Sequence, residues 1–89
     1  MLYRIHTEST GPMRQRAIDI TATTFDGFTI IDTVGYWQGT REDSMIIEVY
    51  TDSRAQVYAV AEAIREANCQ HTVCVAEVDA TIARFTLEG

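Results

Sequence analysis

Lysine is absent from this 89-residue chain, and all seven of its basic residues are arginines. Thirteen carboxylates outnumber them, so the formal net charge is −6. Binding to the backbone of a nucleic acid requires positive groups that neutralise its phosphates, so this balance argues against direct nucleic-acid binding. Genome composition is one explanation of an all-arginine chain, and a role in binding anions is the alternative. Arginine also suits bidentate contacts with anions better than lysine, which keeps a small anionic ligand open.

Cysteine is scarce, with only Cys69 and Cys74 in the chain. Two cysteines are too few for a disulfide framework, and we expect two reduced thiols, one on a strand and one at its start. With His71 and His6 they make four soft metal ligands, but C-x-H-x-x-C is not a standard zinc spacing. Alternation along a strand would also turn His71 and Cys74 to opposite faces. We therefore predict no metal and no cofactor.

Long apolar runs are also missing. No segment has the length of a membrane-spanning helix, and the N-terminus lacks the basic-then-apolar layout of a signal peptide. These absences predict a cytoplasmic location without membrane association. We expect a single domain over residues 1–89, small enough that oligomerisation is a common support for its core.

The periodicity of apolar residues predicts the order strand, helix, strand, strand, helix, strand, with a further segment at the C-terminus. The predicted bounds are 2–7, 13–25, 28–37, 44–51, 53–68, 71–79 and 81–87. In the first helix, Met13, Ala17, Ile20 and Thr24 recur at helical spacing, and Gly27 is expected to supply a left-handed cap.

The second helix has the stronger pattern. Ser53 and Gln56 are spaced as a capping box, and Asn68 is a plausible end. The predicted buried stripe consists of Val57, Val60, Ala61, Ile64 and Ala67.

This order of elements is the split βαβ arrangement, which predicts an α+β, ferredoxin-like fold: an antiparallel sheet carrying two helices on one face. The other face would meet water and should then be polar. Instead, apolar residues point both ways from the strand after the hairpin and from its neighbour, and an apolar surface of this kind is expected to be covered. These residues are Met45, Ile46, Ile47, Val49, Tyr50, Ile30 and Ile31. We therefore expect a homo-oligomer that packs through the sheet face.

The hairpin carries a family resemblance. Tyr36, Trp37, Gly39 and the run Glu42-Asp43-Ser44, followed by an apolar strand, resemble the hairpin of the CutA family and, more distantly, the P-II signalling proteins. The resemblance implies the same fold and a homotrimer. In P-II proteins the clefts between subunits, at the base of the hairpin loop, bind nucleotides or other small anions. The cysteine-bearing stretch that ends the first strand of CutA proteins is replaced here by His6-Thr7-Glu8.

Basic residues give the main candidate binding site. Arg14 and Arg16 follow Gly11-Pro12 at the start of the first helix, where free amide groups favour anions. The alternative is that these arginines pair with nearby surface carboxylates.

Aromatic residues form the second part of the candidate site. Tyr36 and Trp37 stand at the hairpin mouth, where they could stack on a base or pack between subunits. Arg41 lies at the hairpin tip and could close over a ligand. All five residues, Arg14, Arg16, Tyr36, Trp37 and Arg41, are our candidate ligand-binding residues.

No set of acid, base and nucleophile emerges. Glu42 and Asp43 adjoin in a predicted turn, and Glu77 and Asp79 share a strand face, but carboxylates in such places are usually solvated or ion-paired. We therefore predict a non-enzymatic oligomer that binds a small anion, plausibly a nucleotide, between subunits as a sensor or sponge. The alternative is an acidic interaction protein that blocks a protein partner. An enzyme on the same scaffold is the third possibility.

Overall fold

A computed structural model describes residues 1–79, which form one four-stranded sheet with two helices. The predicted segment 81–87 lies outside these residues. Within them no helix is long and apolar enough to cross a membrane. The elements are β1 (Leu2–Glu8), α1 (Met13–Thr24), β2 (Thr29–Trp37), β3 (Thr40–Tyr50), α2 (Arg54–Ala67) and β4 (Cys74–Val78).

The strands lie in the order β2-β3-β1-β4, and every neighbouring pair is antiparallel. This is the ferredoxin-like order, so the predicted fold class is confirmed. Tyr3 and Ile5 of β1 are buried beneath the helices, whereas His6 is exposed on the opposite face. The side chains of β1 therefore alternate between the two faces of the sheet.

Helix α1 buries part of the predicted stripe: Ala17 is buried, and Met13 and Ile20 are half-buried. Ala17 and Thr21 are fully buried, and the Thr21 hydroxyl donates to the Ala17 carbonyl at 2.7 Å, whereas Thr24 is exposed. A threonine can line the core here because its hydroxyl is satisfied within the helix. The predicted glycine cap is wrong: the helix ends at an extended Phe25, and Gly27 does not have a positive φ.

Helix α2 follows its prediction more closely. The Ser53 hydroxyl accepts the Gln56 amide at 3.3 Å, which confirms the N-cap. The reciprocal position is filled by the Thr51 hydroxyl, which accepts the Ser53 amide at 3.1 Å. The stripe is buried at Val57, Val60, Ala61 and Ile64. Ala67 is exposed, so the stripe ends one turn earlier than predicted.

The β2–β3 hairpin is tighter than predicted. Trp37 pairs with Thr40, and the two residues between them, Gln38 and Gly39, have φ values of 49° and 78°. Two positive φ values in a two-residue loop are typical of the type I′ turn that matches strand twist. Strand β3 therefore begins at Thr40, four residues before its predicted start, and Arg41 lies in a strand rather than a mobile tip.

Strand β3 has apolar side chains on both faces of the sheet, but only those on the helix-bearing face are fully buried. Met45, Ile47 and Val49 are buried against the helices. Ile46 and Tyr50 lie on the face that carries no helix, which we call the open face, and Ile31 of β2 lies opposite Ile46. Ile31 is 39% exposed and Tyr50 is 62% exposed. The prediction that apolar groups point both ways from these strands is therefore correct.

The last described strand is shorter than predicted. It begins at Cys74 rather than at residue 71, because the chain first leaves α2 through a separate turn. Glu77 on β4 pairs with Arg54 and accepts the Tyr58 hydroxyl. The shared-face pairing of Glu77 with Asp79 as acid and base is therefore not seen.

Candidate functional site

An open groove of about 590 Å³ lies on the open face, between the β2–β3 hairpin and the connection from α2 to β4. Its floor is built by β1, β2 and β3, and its side wall is the segment 69–72, which we call the α2–β4 turn. From the open face and the turn it is lined by His6, Glu8, Thr33, Gly35, Trp37, Glu42, Ser44, Ile46, Cys69, Gln70, His71, Thr72 and Cys74. Thr7, Met13, Val34 and Met45 complete its lining.

Strand register explains the groove floor. Thr33 pairs with Ser44, and their hydroxyls are 2.7 Å apart. The next pair along the hairpin is Gly35 with Glu42, where glycine contributes no side chain and leaves the floor low. Beyond Glu8, β1 has ended, so only the two hairpin strands continue the floor. The groove floor therefore carries a hydroxyl pair next to a position without a side chain.

The α2–β4 turn is fixed by backbone hydrogen bonds. The Cys69 amide donates to the Glu66 carbonyl at 3.2 Å, and the Gln70 amide donates to the Arg65 carbonyl at 2.9 Å. These two bonds define a Schellman motif, in which the residue after the C-cap takes a left-handed conformation. That residue is Cys69, with φ of 51°.

Side chains then hold the α2–β4 turn against the sheet. The Thr7 hydroxyl donates to the Gln70 side-chain oxygen at 2.7 Å. Buried Asn68, the C-cap of α2, donates to the Met13 carbonyl at 3.2 Å and so ties the end of α2 to the start of α1. These contacts make the wall of the groove a defined surface.

The two aromatic candidates are separated by the sheet. Trp37 lines the groove and is 58% exposed. Tyr36 is 73% exposed, and as the neighbouring residue on a strand it points to the opposite face of the hairpin, beside Arg41. Within one subunit, therefore, Tyr36 and Arg41 share a face, and Trp37 lies on the other.

The arginine candidates also lie away from the groove. Arg14 donates twice to Asp32 of β2, at 3.0 and 3.3 Å, and the hydrogen bond to this carboxylate raises the pKa of the Arg14 guanidinium. Arg41 donates to Asp43 at 3.3 Å. Both pairs are exposed and belong to the helix-bearing side of the hairpin. Exposed pairs of this kind are weak, so a stronger anion can displace the carboxylate.

Arg16 is exposed on α1 and makes no ion pair with the other residues among 1–79. The helix start beside it has Pro12 at the N-cap, no side-chain cap, and no acidic residue in its first turn. Its free amide groups therefore lack a negative partner.

The cysteines and histidines lie differently from the prediction. Because β4 begins only at Cys74, strand alternation does not separate it from His71, and Cys69, His71 and Cys74 all line the groove together with His6. No group of three metal-ligating side chains among residues 1–79 is close enough to hold an ion. The prediction that strand alternation separates His71 from Cys74 was therefore wrong. The absence of a metal site stays a prediction.

The charge of the groove also differs from expectation. Glu8 and Glu42 are its carboxylates, and His6 and His71 are its other titratable side chains apart from the two thiols. No arginine of residues 1–79 lines it. One subunit alone therefore offers an aromatic face, hydroxyl donors and negative charge.

Sequence reasoning missed most of the groove. His6, Glu8 and Ser44 lie on three separate stretches of chain that only the pairing of β1 with β3 brings together. Alternation along the predicted strand 2–7 places His6 on the face opposite Ile5, and this was the available signal. Glu8 was predicted to lie in the turn after that strand, whereas β1 includes it.

No protein-family model and no curated protein matches the chain. Solved structures do match. A phage SAM lyase in its apo state gives a TM-score of 0.65 at 19% identity, covering 83% of this chain and 75% of the other. CPII, a nitrogen regulatory PII-like protein from Thiomonas intermedia K12 bound to ADP, AMP and bicarbonate, gives 0.65 at 18% identity, covering 96% and 93%.

The divalent cation tolerance protein CutA from Archaeoglobus fulgidus gives a TM-score of 0.52 at 14% identity, covering 91% of this chain and 85% of the other. The chain has the P-II/CutA-like fold. The resemblance seen in the hairpin sequence is thus confirmed at the level of the fold. Identities below 20% show the fold alone.

Proposed function

We propose that this P-II/CutA-like protein is a non-enzymatic oligomer that binds a small adenosine-containing molecule in the open-face groove. The observation that carries the proposal is the groove itself, with the broad face of Trp37 at one end. An aromatic side chain that stacks on a base contributes about 1–3 kcal/mol. CPII, which has the same fold, is bound to ADP and AMP.

Assembly is part of the proposal. The open face carries Ile31, Ile46 and Tyr50, large side chains that a second subunit would cover. A homotrimer that covers this face places each groove between subunits. Cytoplasmic sensing or sequestration of a nucleotide is the role that suits such clefts.

An anionic ligand needs positive charge that one groove lacks. We propose that Arg14, Arg16 and Arg41 of an adjacent subunit meet the phosphates, while Trp37 holds the base. Tyr36 lies on the same side as Arg41 and packs against the neighbouring subunit or the ligand there. The site is then complete only in the assembly.

Calorimetric titration tests the proposal, with AMP, ADP, ATP and cyclic AMP as ligands. Trp37→Ala should weaken binding by about 5- to 150-fold, the equivalent of one stacked base. If the site is shared, mixing Trp37→Ala chains with Arg14→Ala chains should restore some binding, because mixed oligomers contain clefts with both native residues. Absence of binding by the wild-type protein would favour an acidic interaction protein instead.

A second candidate is S-adenosylmethionine, which combines adenosine with a positively charged sulfonium. The specific observation in its favour is that the groove carries Glu8 and Glu42 and no arginine from residues 1–79. A phage SAM lyase has the same fold. Titration with S-adenosylmethionine, followed by chromatography of the recovered ligand, separates the two candidates and separates binding from cleavage.

A further inference from the structure

Both cysteines of the chain are exposed, although free cysteine is among the most buried residue types in proteins. Both also line the same groove, Cys69 from the α2–β4 turn and Cys74 from the first position of β4. Both thiols of the chain are therefore accessible from one groove.

The position of Cys69 adds to this. It occupies the left-handed residue of the Schellman motif, where glycine is the default because a side chain is disfavoured there. A thiol is thus held at the groove wall by a backbone conformation that disfavours it. Cys69 has no hydrogen bond to its side chain within residues 1–79 that would offset the cost.

Cys74 has a histidine directly opposite. His6 on β1 is its antiparallel partner, and both side chains are exposed on the open face. Directly opposed residues have Cβ atoms about 4.5–5.5 Å apart, so a small rotation brings the imidazole to the thiol. A histidine beside a cysteine can take the thiol proton and leave the thiolate, which is the reactive species.

The charged groups around His6 are mixed in sign. Arg4 and Glu8 are its neighbours on the same face of β1, Glu48 lies diagonally across on β3, and His71 belongs to the groove wall. Arg4 is paired with Glu48 at 2.8 Å, so the two cancel in part. Among these carboxylates, Glu8 is the one without an ion pair to the other residues of 1–79.

We propose that Cys74, with His6 as its proton acceptor, is a thiol modification site for low-molecular-weight disulfides. The Cys74 proton passes to His6, and the thiolate attacks one sulfur of the disulfide. The S–S bond of the reagent breaks, a mixed disulfide forms on Cys74, and the other half leaves as a thiolate that takes the proton back from His6. The product fills the groove, so thiolation closes it to other ligands. The chemistry does not depend on which ligand the groove binds.

The experiment treats the reduced full-length protein with oxidised glutathione and follows adduct formation by intact mass and peptide mapping. We expect one adduct, on Cys74, formed in wild type and in Cys69→Ala. Cys74→Ala should form none. His6→Ala should slow the reaction by about 100-fold or more, the lower end of the range for a positioned base. Thr29→Ala, on the same face at the far edge, should react at the wild-type rate.

The pH dependence separates a base from a merely structural role. The pH profile of the rate should differ between wild type and His6→Ala, because only the wild-type protein has an imidazole that can accept the thiol proton. An adduct on Cys69 in the wild-type protein, or equal rates and equal pH profiles for wild type and folded His6→Ala, would overturn the proposal.

Discussion

Arg4 and Glu48 form an ion pair in the middle of the open face, with the Arg4 Nε atom 2.8 Å from Glu48 Oε2. The two residues are directly opposite each other on β1 and β3, and their side chains are 41% and 22% exposed. The same face also carries Ile46 and Tyr50. While this face is in contact with water, the charged pair costs little free energy to keep or to break. It becomes costly to break once that face is covered.

This pair supplies the first prediction. In an isolated subunit, Arg4→Met should cost about 1 kcal/mol or less, because the pair is partly solvated. In an oligomer that covers the open face, the same change leaves Glu48 buried without a partner, at about 3–5 kcal/mol. Arg4→Met should therefore weaken assembly far more than folding, and Arg4→Met/Glu48→Met should restore it. Native mass spectrometry and urea unfolding measure the two effects, and equal assembly of all variants would contradict the covered face.

The second prediction uses two neighbouring isoleucines. Ile46 lies on the open face, whereas Ile47 is fully buried against the helices. Ile46→Asp should dissociate the oligomer while each subunit stays folded, because the charge is tolerated in water and not in an interface. Ala59→Asp, on the exposed side of α2, is the matched control. Light scattering and circular dichroism check this, and a wild-type monomer at micromolar concentration would remove the basis of the assembly.

Ile47 itself gives the third prediction. Ile47→Ala should lower the free energy of unfolding by about 2–5 kcal/mol, since it removes a fully buried side chain and leaves a cavity. Ile31→Ala, on the open face, should cost less in the dissociated subunit. Urea unfolding, at a protein concentration low enough to dissociate the oligomer, compares the two variants. Similar decreases in the free energy of unfolding would mean that the two faces are equally packed.

The fourth prediction concerns the turn after α2. Cys69→Gly should raise the free energy of unfolding by about 0.5–1 kcal/mol, because relief of the left-handed strain exceeds the greater freedom of glycine in the unfolded chain. Cys69→Ala is the control: it removes the same thiol but keeps the strain, so its stability should be close to wild type. Thermal and urea unfolding of both variants should separate them, and a stabilised Cys69→Ala would show that the thiol, not the backbone, is the source of the cost.

Periodicity predicted the element order and the fold because both depend on local signals. The stripe of α2, with Val57 and Ile64 on one face, and the alternation of Tyr3 and Ile5 are readable without knowledge of any partner. The resemblance of the hairpin sequence led to the same fold. These features account for the correct α+β, ferredoxin-like prediction.

The errors have local and non-local causes. The Gln38-Gly39 turn could not be distinguished from a longer polar tip because Thr40, Arg41 and Glu42 are polar whether in a loop or on an exposed strand. Thr21 was missed on the buried face of α1 because a threonine that bonds within its helix behaves as a core residue. The groove could not be predicted in full since it joins β1, the hairpin and the α2–β4 turn, which only strand register brings together.

The last prediction is a pH dependence at the edge of the sheet. Glu77 on β4 accepts hydrogen bonds from Arg54 and from the Tyr58 hydroxyl, and the guanidinium of Arg54 lies 4.6 Å from the Tyr58 ring centroid. The hydrogen bond from Arg54, followed by its charge, lowers the pKa of Glu77 below its ordinary value. The folded state therefore binds the Glu77 proton less readily than the unfolded chain. The resulting stabilisation is fully present above the unfolded pKa, about 4.3, and is lost as pH falls through the lower folded pKa.

Glu77→Gln should consequently reduce stability at pH 7 by a small amount, and the difference from wild type should disappear as the pH falls through this range. The matched variant is Glu62→Gln on α2, where the hydrogen bond from Arg65 likewise lowers the pKa of the carboxyl. Arg65 and Glu62 are in the same helix, so they can still pair in the unfolded chain whenever this helix forms transiently. We therefore expect the stability difference between Glu62→Gln and wild type to change less with pH. Urea unfolding from pH 3 to pH 7 at low and high salt measures both. A Glu77→Gln penalty that does not change with pH would mean that side-chain packing, rather than the charge of Glu77, stabilises β4 against α2.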